Sequence, residues 1–423
     1  MLRSVLGSAL AQSQRLQNPK PVIWPALPLR LYGTSPAAKS HPERIAAEMI
    51  RYALVDARTR PSADWREEAM RILEQGVSNL DEGGKGSVEA VAMLNLAIST
   101  LLYERGRFQD SMEKLEAVHH HAPSLSFRVA SWEGLMGVRM EIGQEISSAE
   151  LDDSLEPSTN GNQKNRSNIY LRANGVRGLA ALINGEIESA KSFFDGCQDC
   201  NAETAEEHIG NVLLSYGEYL HCNGNFTLAK DVYELAVKAS SGKDISREYY
   251  LASANMVPEE VSLAGTCALG QLLSRTGKTD EAEELLTKAL TKAEAHFGSS
   301  HLKVGVVLTC IAKMFKERAR LEGSSSILVQ EGLYRRALDL LKAPDLNSEA
   351  NDMPGDKRDI VALARGGYAE LLLIQQNRKE EGEKMKRWAE SVWRNRRLTL
   401  AEALDFSESS KLAVVDTRIC RII

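Results

Sequence analysis

Three stretches of the chain share one layout of small residues, and that layout constrains the fold more than any other feature. In the clearest copy a small residue, Gly217, is followed by Gly224 seven residues on. Ala229 comes five later, Tyr233 four after that, and Ala236 three further. The next copy reads Gly270, Gly277, Ala282, Leu286 and Ala289; the preceding one reads Gly178, Gly185, Ala190, Phe194 and Cys197. Ala, Leu, Glu and Lys dominate both arms of each copy, which favours helix. The second glycine ends the first arm, because glycine accepts the left-handed backbone that closes a helix. The small residues are expected where two antiparallel helices cross. The bulky residue lies one turn beyond Ala on the same face and is expected to fill the gap to the neighbouring pair. A helix pair of this kind cannot bury its apolar face alone, so it must stack.

The layout resembles the tetratricopeptide repeat. That family places Leu-Gly, Ala, an aromatic or Leu, a second Ala and a final Pro at set positions, and Leu269-Gly270, Ala282, Leu286 and Ala289 match them. The segment from Ala92 fits more loosely through Gly106, Phe108, Ser111, Leu115 and Pro123. Trp132 and Leu135 open a further unit. Leu308, Ile311, Ala312 and Phe315 open another, whose second arm carries Tyr334, Ala337 and Leu338 beyond an enlarged turn at Gly323–Ser326, and Asp359–Trp393 makes a last one. The spacings from Gly178 to Gly217 to Gly270, and from Leu269 to Ile311, exceed the bare repeat. With Gly298-Ser299-Ser300-His301-Leu302 in the linker, the last resembles the longer kinesin-light-chain style of repeat, although Leu302 stands where that family has Pro.

The resemblance implies an all-α, right-handed α-solenoid over residues 90–395, clearest at 171–204, 210–243 and 263–296. A helical pair at 43–80 precedes it, and a C-terminal tail at 396–423 follows. Breaker-rich stretches at Glu156–Asn162 and Lys342–Asp356 read as long loops between repeats. Hydrophobic content of 43% with only 6% aromatics suits helices packed on small and aliphatic side chains. No apolar run approaches the roughly 20 residues that span a bilayer, so a soluble protein without a membrane span is expected.

The first 32 residues differ in kind. They carry Arg3, Arg15, Lys20 and Arg30 and no acidic residue; the first is Glu43. Leu2, Val5, Leu6 and Leu10 can form one apolar face among Ser, Ala and Arg, the composition of an organellar transit peptide. Arg30-Leu31-Tyr32 before Gly33 resembles a mitochondrial processing site, so a mitochondrial matrix protein cleaved at Tyr32/Gly33 is expected. Taking those four charges off the net −6 leaves −10, which argues against broad affinity for nucleic acid.

No motif for catalysis, cofactor or metal emerges. Cys197-Gln198-Asp199-Cys200 is a CxxC, but zinc would need two more ligands, and a redox pair favours a helix N-terminus. Cys197 instead occupies the repeat's small position near the end of a second helix. Cys267 and Cys310 read as small packing residues of first helices. His119-His120-His121 point in different directions on a helix and suit the free carbonyls of its C-terminus. The basic run Lys384–Arg387 and Arg394–Arg397, with Trp388 and Trp393, reads either as a contact for an acidic partner, RNA or lipid, or as a helix packed through its Trp residues.

In arrays of this resemblance the first helices line a concave groove that takes partner segments. The positions carried over are Asn211, Ser215, Glu218 and His221 with Cys222, then Gln271, Ser274 and Arg275 with Cys267. The carboxylate clamp that grips chaperone tails is missing, because Leu96, Thr100, Gly175, Leu179, Ser215 and Ala264 occupy its sites. Docking of such tails is therefore not expected. Three readings follow: a non-enzymatic mitochondrial protein-binding scaffold or assembly factor, an organellar RNA-binding helical-repeat protein, and a thiol redox protein using Cys197 and Cys200. The irregular spacing and acidic body oppose the second.

Overall fold

The computed structural model describes residues 40–59, 65–81, 87–144, 146, 163–197, 209–240, 251–324, 326–346, 357–407 and 411–423. The chain divides into residues 1–39 and 40–423, and every described residue lies in the second unit. The basic segment 1–32, Cys200 and the loop Glu156–Asn162 lie outside the described residues.

Sixteen α-helices are described: α1 His41–Arg51, α2 Trp65–Asp81, α3 Ser87–Glu104, α4 Phe108–His121, α5 Leu125–Glu141, α6 Gln163–Asn184, α7 Ile187–Phe194 and α8 Gly210–Cys222. They continue as α9 Phe226–Ala239, α10 Pro258–Arg275, α11 Thr279–Phe297, α12 Leu302–Glu322, α13 Ile327–Leu340, α14 Arg358–Leu373, α15 Lys379–Val392 and α16 Leu400–Leu404. From α3 to α15 consecutive helices pack on one another, and the first helices α8, α10, α12 and α14 also touch in sequence. The protein is an all-α solenoid of helix pairs.

The turn glycines act as their spacing implies. Gly106, Gly185, Gly224 and Gly277 have φ between +71° and +81°, the left-handed region in which a Cβ is costly. Each donates its N–H to the carbonyl three residues back, as Gly224 does to His221 at 3.0 Å. The small mid-helix glycines serve a different purpose. A Cβ on Gly217 would lie 2.6 Å from the Tyr233 ring, and one on Gly270 would lie 2.6 Å from Leu286; Gly178 faces Phe194 in the same way. So the bulky residue closes onto the glycine of its own pair, where the expectation had it reaching mainly to the next pair. The missing side chain on the first helix is what makes room for the ring.

Two hydrophobic cores run along the array. One spans α1 to α10, the other α10 to α16. The sequence's last residues belong to both: Ile419 and Ile423 enter the first core, while Val415, Cys420 and Ile422 enter the second. These residues form a departure from the all-helical plan. Val415–Asp416 (β1) pairs antiparallel with Arg421–Ile422 (β2), and Val414 and Ile423 exchange backbone hydrogen bonds beyond them.

Candidate functional site

Of the positions carried over as a groove, Asn211, Ser215, Glu218 and Gln271 meet two segments of the chain itself. Leu251–Val257, which precedes α10, lies across α3, α5 and α6. Residues 411–423 lie across α8, α10 and α12.

The first segment is held through its backbone and short polar side chains. Ala254 N–H donates to Thr100 Oγ1 at 3.0 Å, and Ser253 Oγ donates to the Ala130 carbonyl at 3.1 Å. Asn255 Nδ2 donates to the Gly137 carbonyl at 2.9 Å and to Glu141 Oε2 at 3.0 Å. Arg172, paired with the buried Glu133, also donates to the Leu251 carbonyl at 2.6 Å. A Cβ on Gly134 or Gly137 would collide with Ser253 or Asn255, so these α5 glycines admit the segment. The long interval between Gly217 and Gly270 thus includes, at Leu251–Val257, a segment packed on α3, α5 and α6.

The second segment centres on Arg418, whose side chain is 0% exposed. The hairpin loop is organised by Asp416, whose Oδ1 accepts the Arg418 N–H at 2.7 Å. The guanidinium then reaches into α8. Its Nη2 donates to Glu218 Oε2 at 3.0 Å, Ser215 Oγ at 3.1 Å and Asp416 Oδ2 at 2.9 Å, and its Nη1 donates to Asn211 Oδ1 at 3.0 Å. Burial, and then the charge of Asp416, push Glu218 well above the usual carboxylate range, against the pull of Arg418. Two carboxylates share one guanidinium here.

Neighbouring first helices read the backbone of the same segment. Gln271 Nε2 donates to the Val415 carbonyl and Gln271 Oε1 accepts the Val415 N–H, both at 2.9 Å. Lys303, 0% exposed, donates to the Arg418 carbonyl at 2.9 Å and to Glu260 Oε1 at 2.7 Å. The Lys303 ammonium also lies 5.2 Å from the Tyr103 ring and 5.3 Å from the Phe297 ring. Although burial alone would lower it, the surrounding Glu141 and Glu260 hold the ammonium above the ordinary lysine range. Asn395 Nδ2 donates to the Ile422 carbonyl at 2.7 Å. Arg275 donates to the Ser407 carbonyl and Arg397 to the Leu412 carbonyl.

Each expected groove residue can therefore be placed. Asn211 bonds Met256 and Arg418, Ser215 and Glu218 bond Arg418, Gln271 bonds Val415, and Arg275 bonds Ser407. His221 is buried, 3.4 Å from Tyr233 Oη, and burial lowers its pKa to about 3. With Ser274 it lines a small pocket closed by Asp405, Phe406 and Leu412. Sequence reasoning missed Arg418, Asp416, Lys303, Glu260 and Glu141. The available signal was Val414-Val415 and Ile419-Cys420-Arg421-Ile422-Ile423, a β-branched run that breaks with the Ala- and Leu-rich helices before it.

The other singled-out residues stand apart from these contacts. Cys197 is buried in a 3-10 turn, Asp195–Cys197, after α7. Cys267 and Cys310 are buried free thiols of α10 and α12; hydrogen bonding to Cys310, together with burial, pushes Cys267 well up. His121 Nδ1 lies 2.8 Å from the Ala117 carbonyl and His119 Nδ1 3.3 Å from that of Arg128, at the end of α4. Trp388 is buried with the Arg365 guanidinium 3.8 Å over its ring, and Trp393 Nε1 donates to the Leu398 carbonyl at 2.6 Å, while Lys384, Lys386 and Arg387 face outward. Among the described residues no group of three or more His, Cys, Asp and Glu side chains could hold a metal ion, and no helix is long and apolar enough to cross a membrane.

A tetratricopeptide repeat family model matches residues 267–302, which run from the middle of α10 through α11 to the start of α12. That span holds Leu269-Gly270, Gly277, Ala282, Leu286 and Ala289. The chain is a tetratricopeptide-like helical repeat protein. No curated protein matches it. A repeat fold of this type supports protein interaction in general.

Proposed function

We propose that this chain is a non-enzymatic scaffold or assembly factor of mitochondria that holds segments of partner proteins. The observation that carries the reading is the double hydrogen bond between Gln271 and the Val415 backbone. A side-chain amide that meets both the N–H and the C=O of one residue holds an extended polypeptide whatever its side chains. Lys303, Asn395 and Arg275 do likewise through single carbonyls. Such contacts support the holding of a polypeptide segment. The acidic body favours protein over nucleic acid as partner. The basic, acid-free first 32 residues support import into the matrix.

Affinity purification of the tagged full chain from mitochondria, with and without nuclease, tests this. Protein partners that survive nuclease are the expected result; loss of every partner on nuclease treatment contradicts it and favours an RNA-binding role. Sequencing the mature N-terminus tests import, with Gly33 expected and Met1 the contrary result.

A further inference from the structure

The hairpin at 414–423 shows what the groove is built to recognise, and this inference rests on the protein-holding role proposed above. The pocket of Asn211, Ser215 and Glu218 presents three acceptors in a fan on one face of α8, all bonded to the Arg418 guanidinium. A planar fork with five fixed donors matches that fan; an ammonium would meet only part of it. Around the pocket the contacts are indifferent to sequence, because they go to the Val415, Arg418 and Ile422 backbone. The groove therefore combines one side-chain-specific socket with a sequence-blind track.

The present occupant does not satisfy that socket completely. Glu218 and Asp416 share one guanidinium, while Glu218 Oε1 in the socket and Thr417 Oγ1 on the hairpin are buried without a hydrogen-bond partner. Cys420 holds φ +53°, a strained backbone for a residue with a side chain. A buried ionic interface with orphaned acceptors and local strain leaves room for a guest that fits better.

We infer that the Asn211–Ser215–Glu218 pocket is a receptor for an arginine presented on a hairpin of a partner protein, and that the chain's own Val414–Ile423 hairpin occupies it in competition with that partner. The partner feature is an arginine two residues after a carboxylate, as in Asp416-Thr417-Arg418, in a turn that leaves its backbone free to lie along Gln271 and Lys303.

A fluorescently labelled synthetic peptide of residues 411–423 is the probe, titrated against the full chain by anisotropy. Wild-type chain should bind it weakly. The Arg418→Ala chain should bind it about tenfold or more tightly, because the apparent affinity rises with the fraction of open groove. A peptide carrying Arg418→Ala should bind neither, and Glu218→Gln in the chain should abolish the gain. Equal binding to wild-type and Arg418→Ala chains, or none to both, overturns the inference. Hydrogen exchange on the unmodified chain decides independently if Arg418→Ala does not fold. The amides of Val414 and Ile423 should exchange through local opening, faster than the amides of α10; exchange only at the rate of α10 makes the hairpin a fixed strut and overturns competition. Protein partners captured from mitochondria that ignore excess peptide would sink the competition while leaving the scaffold role intact. Capture of only nuclease-sensitive material with normal peptide binding would do the reverse.

Discussion

Gln271 and Val415, 144 residues apart in the chain, exchange two hydrogen bonds. One bond runs from the Gln271 amide nitrogen to the Val415 carbonyl and one from the Val415 N–H back to the Gln271 oxygen. The side chain of a first helix thereby takes the place of a neighbouring strand. With Lys303 and Asn395 it fixes the hairpin where the two hydrophobic cores meet. Ile419 and Ile423 are buried in one core and Val415 and Ile422 in the other, so the hairpin ties together helices that are far apart along the array.

The packing glycines give opposite expectations for one substitution. Gly217→Ala should destabilise by about 1–3 kcal/mol, because the new methyl meets the Tyr233 ring at 2.6 Å and overpacks the helix crossing. Gly332→Ala should stabilise by about 0.5–1 kcal/mol, because that helical glycine has nothing within 4 Å of the added carbon and alanine is the better helix former. Urea denaturation of the two variants checks the pair.

Breaking the buried ion pair should be costly. Lys303→Met leaves Glu260 buried without its cation and removes a donor from the Arg418 carbonyl. A loss of about 3–5 kcal/mol is expected, and adding Glu260→Gln in the same chain should recover part of it. Denaturant midpoints of wild type and both variants measure this.

Acid should weaken the fold partly through His221. Burial lowers its pKa to about 3 in the folded chain from the ordinary 6.5. Between those values the unfolded chain binds the proton and the folded chain does not. This stability contribution is therefore complete above pH 6.5 and is lost as pH falls toward about 3, at up to about 1.4 kcal/mol per pH unit. The His221→Gln variant should show a shallower decline over that window than wild type, measured by thermal melts across pH. Parallel curves would contradict the assignment.

The helix pairs were legible because their determinants are local. Gly185, Gly224 and Gly277 mark turns by a backbone conformation that few other residues adopt, and the Gly178, Gly217 and Gly270 crossings each lie seven residues before one of them. Asn211, Ser215, Glu218 and Gln271 could be placed on first helices for the same reason. What lies against them was not legible. Arg418 reads in sequence as one basic residue of a tail, and only contacts about 200 residues distant make it the centre of a buried network. Asn255 and Ser253 likewise read as linker residues, and the α5 glycines that admit them, Gly134 and Gly137, belong to a unit whose repeat pattern is weak. Long-range closure leaves no periodic signal.

The central relationship, Arg418 seated on Glu218 inside the array, is tested most directly by a double-mutant cycle. Arg418→Ala, Glu218→Gln and the double variant are compared with wild type by urea denaturation. A coupling energy of about 1–3 kcal/mol between the two positions is the expected result. Additive effects, with no coupling beyond error, would place Arg418 elsewhere and contradict the hairpin's seat in the groove.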